Sequence, residues 1–209
     1  MSKGFFFSLD GLDGCGKSTQ VRRLESRLKK MGKQVVTCAD PGGTAIGKQL
    51  RQILLHGEPR PGTRCQALLF MASRAQLVDE IIQPALAAGK IVLADRFLLA
   101  NVVYQGHASG LDPDLLWQTG KLSTGGILPS LTFVLDIPVP LARKRTGSPS
   151  DNMESLPDSF FAKVRQGFLL EAKNQPESIL VVDGWRGEAE VEEEIFSHIG
   201  PMVAAGDLC

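Results

Sequence analysis

The sequence predicts an α/β fold in which five parallel strands carry helices on both faces. Short apolar runs recur along the 209 residues, stretches with helical spacing of apolar residues separate them, and a glycine-rich loop joins the first run to the first helical stretch. Strands that are almost wholly apolar are buried on both faces, as in parallel sheets covered by helices. The length suits one domain with a sizeable core.

The predicted strands are β-type runs of five or six residues that end in polar or turn-forming residues. The first ends just before the glycine-rich loop, and the third ends in the carboxylate of Asp95. The five runs cover residues 5–9, 34–39, 91–95, 131–136 and 179–183.

The predicted helices are stretches in which apolar residues recur every three or four positions. The first follows the glycine-rich loop and places Val21, Leu24 and Leu28 on one face. A long helix begins at Cys65, and we expect Pro84 to kink it. The other predicted helices cover residues 46–55, 112–121, 141–145, 159–172 and 191–199.

The glycine-rich loop matches G-x-x-x-x-G-K-[ST] in full and lies between a strand and a helix, which is the context that this motif requires. Its backbone N–H groups can converge on a polyphosphate at the start of the helix. We expect Lys17 beside the β- and γ-phosphates and the Ser18 hydroxyl on Mg²⁺. The motif therefore predicts a P-loop NTPase fold with three layers. The residues predicted to bind the triphosphate are Gly11, Leu12, Asp13, Gly14, Cys15, Gly16, Lys17, Ser18 and Thr19.

Asp95 and Arg96 follow the third strand directly. A carboxylate at the end of a buried strand next to a phosphate loop is typical of a residue that holds Mg²⁺ or its waters. Alone, such a residue is as often a helix cap. The loop upstream favours the metal role for Asp95.

A basic helix at Arg143–Lys144–Arg145 runs into the turn-rich segment 146–151. We predict a short lid over about residues 143–157 within a single domain that spans residues 1–209. A solvated helix face is the alternative interpretation of the basic triplet. We favour a lid facing the phosphates because the polyphosphate site otherwise has few cations.

Charge and composition exclude several classes of partner. Lys plus Arg equals Asp plus Glu at 23 each, which argues against a nucleic-acid polymer or a membrane surface as partner. No apolar run approaches the roughly 20 residues of a membrane span, so we expect a cytoplasmic protein. The four cysteines lack the spacing of a zinc site and should be free thiols. Cys15 could be a stabilised thiolate, although a small residue that fills the loop is the favoured interpretation.

A phosphate loop leaves the second substrate open: water, a hydroxyl or another phosphate. The Asn-Lys-x-Asp motif of GTPases is absent, and the chain has little room for the coupling elements of a mechanical ATPase. A small-molecule kinase remains. A phosphate monoester, whose second pKa is about 6, would need no general base, so the main barrier would be repulsion between two anions.

Five segments in this order and spacing resemble the thymidylate kinases over nearly the whole chain. They are Gly11–Gln20, Asp40–Thr44, Leu68–Gln76, Asp95–Phe97 and Tyr104–Gly106. The resemblance implies transfer of phosphate from ATP to thymidine monophosphate (dTMP), with Mg²⁺ as cofactor. It also implies a homodimer that packs through the helices around residues 65–88.

By matching position, the resemblance implies roles for individual residues. Phe70 would stack on thymine, Arg74 would bind a thymine carbonyl, and Tyr104 would crowd the 2′ position of the sugar. Arg96 would bind the acceptor phosphate and Asp13 the 3′-hydroxyl. Pro41, Asn101 and Gln105 complete the predicted substrate site, and Ser18 and Asp95 the metal site. The predicted catalytic cations are Lys17, Arg96, Arg143 and Arg145, of which Arg143 would also contact ATP.

The chain departs from the family pattern where arginines are usual, because it has Ala39, Ser109 and Asn152 at those positions. The phosphate loop also has Gly14 and no arginine of its own. A slower kinase is therefore expected. A kinase for another nucleotide and a regulatory protein that binds nucleotide without catalysis are the alternatives.

Overall fold

The computed structural model, which describes residues 4–147 and 151–205, contains the predicted parallel sheet. Its spatial order is β2-β3-β1-β4-β5, and every neighbouring pair is parallel. All five predicted strands are confirmed. They are β1 (Phe5–Gly11), β2 (Val35–Ala39), β3 (Ile91–Asp95), β4 (Leu131–Asp136) and β5 (Ile179–Asp183).

The central position of β1 explains where the glycine-rich loop lies. Leu9 is in register with Asp95 of β3, and Gly11 is in register with Leu135 of β4. Because the carboxyl ends of parallel strands meet at one edge of the sheet, the loop after β1 lies next to the residues that follow β3.

Helices cover both faces of the sheet. In chain order they are α1 (Lys17–Lys30), α2 (Ala45–His56), α3 (Thr63–Leu77), α4 (Gln83–Ala87), α5 (Leu98–Asn101), α6 (Pro113–Ser123), α7 (Val139–Thr146), α8 (Asp158–Asn174) and α9 (Glu188–Ala205). The described residues also contain two π-helical segments, Val78–Ile82 and Val102–Ala108.

The long helix differs from the prediction of a kink at Pro84. The irregularity begins earlier, as the π-helical segment Val78–Ile82 between α3 and α4. Proline lacks an N–H group and its ring displaces the carbonyl four residues before it, so the hydrogen-bond ladder widens upstream.

The helical stretch from Leu98 to Ala108 was not predicted as a helix. Its residues are almost all buried, including the polar Asn101 and Gln105 at 2% and 1% exposure, so the stretch has no solvent-exposed polar face and gives no clear amphipathic signal.

Side chains alternate between two apolar layers. Phe7 and Leu9 of β1 pack into one cluster with α1, α8 and α9, whereas Phe6 packs into the other with α3. This alternation gives the three-layer architecture predicted from the sequence. Across the two described ranges, no helix combines the length and the apolarity that crossing a bilayer requires.

Candidate functional site

The loop between β1 and α1 has the backbone shape that its glycines allow. Gly14 and Gly16 have φ values of 80° and 103°, and a Cβ atom on Gly14 would lie 2.6 Å from the carbonyl oxygen of Ala142. A side chain at residue 14 would therefore collide with α7. The buried Lys17 ammonium donates to the carbonyl of Leu12 at 2.9 Å and lies 3.6 Å from Asp13 Oδ1.

The two predicted metal ligands lie together beside this loop. The Ser18 hydroxyl donates to Asp95 Oδ2 at 2.5 Å. Both are hard oxygen donors, and Mg²⁺ is usually held by one or two protein oxygens together with substrate phosphates. Ser18 and Asp95 therefore fit the magnesium ion that the motif implies.

Arg96 connects the loop to the end of β3. Its Nη2 donates to Asp13 Oδ1 at 2.7 Å and to the Tyr104 hydroxyl at 3.3 Å. Burial alone would raise the pKa of Asp13, but Arg96 and Lys17 outweigh it and hold that pKa below its usual range. Burial raises the pKa of the neighbouring Asp10 to about 7, opposed by Arg96 and Lys17.

A cavity of about 170 Å³ lies beyond Arg96, over the carboxyl ends of the strands. It is walled by an aromatic ring, two amides, a tyrosine and three guanidinium groups. Every residue predicted for the substrate site lines it, namely Asp13, Pro41, Phe70, Arg74, Arg96, Asn101, Tyr104 and Gln105.

Arg74 is a buried cation, only 1% exposed, and hydrogen bonds hold its guanidinium in place. Its Nε donates to Asp40 Oδ2 at 2.6 Å and its Nη1 to Asn101 Oδ1 at 3.2 Å. Asn101 in turn donates to Gln105 Oε1 at 2.9 Å. This chain of hydrogen bonds compensates the buried charge and fixes the guanidinium against the cavity.

A groove of about 710 Å³ runs along the phosphate loop and shares a wall with the cavity. Some residues line the groove but not the cavity, among them Lys17, Ser18, Asp95 and Arg145. The residues common to both spaces are Asp13, Asp40, Pro41, Arg51 and Arg96. A ligand on the phosphate loop and a ligand in the cavity would therefore meet at this wall.

The structure separates the two predicted lid arginines. Arg145 lines the groove, and its Nη1 lies 3.4 Å from the carbonyl oxygen of Gly14. Arg143 instead donates to the carbonyls of Glu154 and Leu156 and to Asp158 Oδ1, which lies 3.0 Å from its Nε. The contact of Arg143 with ATP stays a prediction. Residues 148–150 of the predicted lid lie outside the described residues.

Several residues of the site were not indicated by the sequence. Arg51 lies on α2 and donates to the Pro41 carbonyl at 3.1 Å, but nothing in a helical pattern shows which exposed cation faces a cavity. Met153 and Glu154 line the cavity because the 151–157 segment packs on the end of α2, where the Asn152 N–H donates to the Leu55 carbonyl at 2.9 Å.

The structure favours one interpretation of Cys15. Its thiol is only 2% exposed, and burial raises its pKa. The hypothesis of a stabilised thiolate is therefore wrong, and Cys15 fills the loop as a small buried residue. Cys15, Cys38 and Cys65 are free thiols, and Cys209 lies outside the described ranges.

A family model described as thymidylate kinase matches residues 9–195. The chain belongs to the thymidylate kinase family. A thymidylate kinase from Rhodopirellula baltica is 43% identical over 192 residues, covering 92% of this chain and 78% of the relative. One from Kosmotoga olearia is 44% identical over 195 residues, covering 92% and 94%. A crystal structure of thymidylate kinase from Ehrlichia chaffeensis superposes with a TM-score of 0.77 at 29% identity, covering 94% of this chain and 99% of that one.

Membership of this family confirms the resemblance and, with the observed sheet, the predicted P-loop NTPase fold. The roles of individual residues stay predictions, which the geometry of the cavity and the groove supports.

The buried pair of Asp40 and Arg74 gives a prediction about stability. Asp40→Ala leaves the Arg74 guanidinium buried without its carboxylate, so the free energy of unfolding should fall by about 3 kcal/mol. Glu25→Gln is the control, because Glu25 pairs with Lys29 on an exposed helix face and should change stability by less than about 1 kcal/mol. Urea denaturation of both variants measures the difference. Equal effects would contradict the role of Asp40.

Proposed function

We propose that this protein transfers the γ-phosphate of ATP to dTMP, giving dTDP and ADP, with Mg²⁺ as cofactor. The observation that supports this most strongly is the shared wall between the phosphate-loop groove and the cavity lined by all the predicted substrate residues. Two ligands placed there would meet with their phosphates at Arg96. Membership of the thymidylate kinase family agrees with this activity.

The cavity suits a pyrimidine deoxynucleotide. The Phe70 ring offers a flat apolar face, and the fixed guanidinium of Arg74 can donate to a carbonyl of the base. Tyr104 is only 7% exposed and is held by Arg96, so it would leave little space for a 2′-hydroxyl. We therefore expect preference for deoxyribose.

The chemistry needs positive charge more than a base. An oxygen of the dTMP phosphate is already deprotonated at neutral pH, since the second pKa of a monoester is about 6. Its approach to the γ-phosphate is opposed by repulsion, which fixed cations reduce. Lys17, Arg96 and Arg145 line the place where the phosphates would meet.

Arg51 adds charge where the family's usual arginines are absent. It lines both the cavity and the groove. Ala39 lines the groove without charge, and Ser109 donates to the Tyr104 carbonyl at 2.7 Å. We propose that Arg51 partly replaces the missing arginines at the acceptor phosphate.

Magnesium would be held by the Ser18 hydroxyl and the Asp95 carboxylate beside the phosphates of ATP. When bound, the ion would neutralise part of the negative charge of the triphosphate.

A substrate panel tests the activity. With ATP and Mg²⁺, the protein should phosphorylate dTMP with a higher kcat/KM than dCMP or thymidine, because thymidine has no acceptor phosphate and cytosine lacks one carbonyl. The panel also includes dUMP, which differs from dTMP by one methyl group. A coupled assay of ADP release measures this. Higher kcat/KM on another compound would identify a related kinase. ATP binding without transfer to any monophosphate would identify a regulatory protein.

The positions of the lid arginines predict different kinetic effects. Arg145→Ala should lower kcat about tenfold or more, since it removes a cation from the groove. Arg143→Ala should mainly lower the thermal midpoint and raise KM for dTMP, because Arg143 holds residues 154–158 beside the cavity. Lys144→Ala is the matched control, since Lys144 is the exposed neighbour. An Arg145→Ala enzyme with unchanged kcat would contradict the assignment.

We also propose a homodimer that packs through α2, α3 and α6. These adjacent helices carry exposed apolar side chains, among them Ile53, Leu68 and Leu122, the last 84% exposed. Leu68→Lys with Leu122→Lys should shift the sedimentation coefficient from dimer to monomer, whereas Leu170→Lys on α8 should leave the dimer intact. A dimer that persists in the double variant would contradict the assignment of this surface to the dimer interface.

The cytoplasmic location of the protein stays a prediction.

A further inference from the structure

Asp10, just before Gly11 in β1, is a buried carboxylate with no evident use in the reaction. Its exposure is 0%, and among the described residues neither of its oxygens has a hydrogen-bond partner. Buried polar groups without partners are rare, because each loses its interactions with water and gains nothing in return. An ionisable group left in this state needs a functional explanation.

The complementary unpaired group lies directly beside it. Nη1 of Arg96 is also buried without a hydrogen-bond partner in the described chain, and it lies 4.0 Å from Asp10 Oδ1. The other terminal nitrogen, Nη2, is occupied by Asp13 and Tyr104. Since a hydrogen bond between these atoms needs about 2.9 Å, a shift of about 1 Å would join Asp10 to Arg96.

Two carboxylates therefore lie beside different nitrogens of one guanidinium, Asp13 beside Nη2 and Asp10 beside Nη1. Asp13 lies on the wall shared by the cavity and the groove, and its side chain is 37% exposed, whereas that of Asp10 is fully enclosed. A phosphate dianion in the cavity would compete with Asp13 for Nη2, and the like charges would repel. Asp10 cannot touch that phosphate, because it has no accessible surface, so it can act only through Arg96.

We propose that Asp10 is a positioning residue that holds Nη1 of Arg96, so that Nη2 turns from Asp13 to the acceptor phosphate when dTMP binds. This inference rests on the proposed function. The backbone of Arg96 favours such a role, since its φ of 68° is unusual for a residue other than glycine and fixes where the side chain begins. Asp10 thus compensates the charge of Arg96 while Asp13 is displaced.

The test compares dTMP with thymidine, which lacks only the phosphate. Calorimetric titrations at about pH 8 keep Asp10 largely ionised, given its pKa of about 7. Asp10→Asn should weaken dTMP binding about tenfold, the loss typical of one charge-assisted hydrogen bond, and should leave thymidine affinity unchanged. A merely structural role would change both affinities together.

Ser8→Ala is the matched control. Ser8 is another buried polar residue of β1, and its hydroxyl is hydrogen-bonded to that of Thr132 at 2.8 Å. It should leave the ratio of dTMP to thymidine affinity as in the wild type. Asp10→Ser is a second neutral variant, in case the asparagine is not accommodated.

Three results would overturn the inference. A folded Asp10→Asn or Asp10→Ser protein could keep the wild-type ratio of dTMP to thymidine affinity, or it could lose affinity for both ligands equally. Failure of both variants to fold is the third. Wild-type protein that binds no dTMP would instead contradict the proposed function, and this inference with it.

Discussion

The contact between Arg96 and Asp13 is the interaction on which the proposed site depends. It joins the end of β3 to the phosphate loop after β1, with Nη2 and Oδ1 2.7 Å apart. The Lys17 ammonium lies 3.6 Å from the same oxygen. The cavity and the groove both border Asp13 and Arg96, so this pair marks where acceptor and donor phosphates would meet.

The fold places this contact through strand order. Because β1 lies beside β3, residues far apart in sequence leave the sheet at the same edge. Each buried cation at this edge is compensated by a carboxylate: Asp13 for Arg96 and Asp40 for Arg74. A buried charge without a counter-ion would be strongly unfavourable, so the acids compensate the guanidinium groups and orient them before a nucleotide arrives.

Most of the fold could be predicted because its signals are local. Apolar runs identify the strands, and the motif between Gly11 and Thr19 identifies the loop and the helix after it. The stretch from Leu98 to Ala108 gave no such signal, since it is almost wholly buried and even its polar Asn101 and Gln105 face the interior of the site and not solvent. The π-helical segment before Pro84 was also missed, because proline predicts a disturbance but not where the ladder absorbs it.

The substrate residues could be predicted only as a set, from their resemblance to a family, and the structure brings that set into one cavity. The lid shows the limit of sequence patterns. Arg143 and Arg145 are two residues apart on one short helix, so they point in different directions. Sequence alone could not decide which one faces the groove, nor that Arg51 reaches it from α2.

The most direct test of the shared wall is a crystal structure with dTMP and a non-hydrolysable ATP analogue bound together. We expect the triphosphate on the loop from Gly11 to Thr19, the pyrimidine against Phe70 and Arg74, and the acceptor phosphate within hydrogen-bonding distance of Arg96. A pyrimidine bound elsewhere, or an acceptor phosphate that does not approach Arg96, would contradict this account.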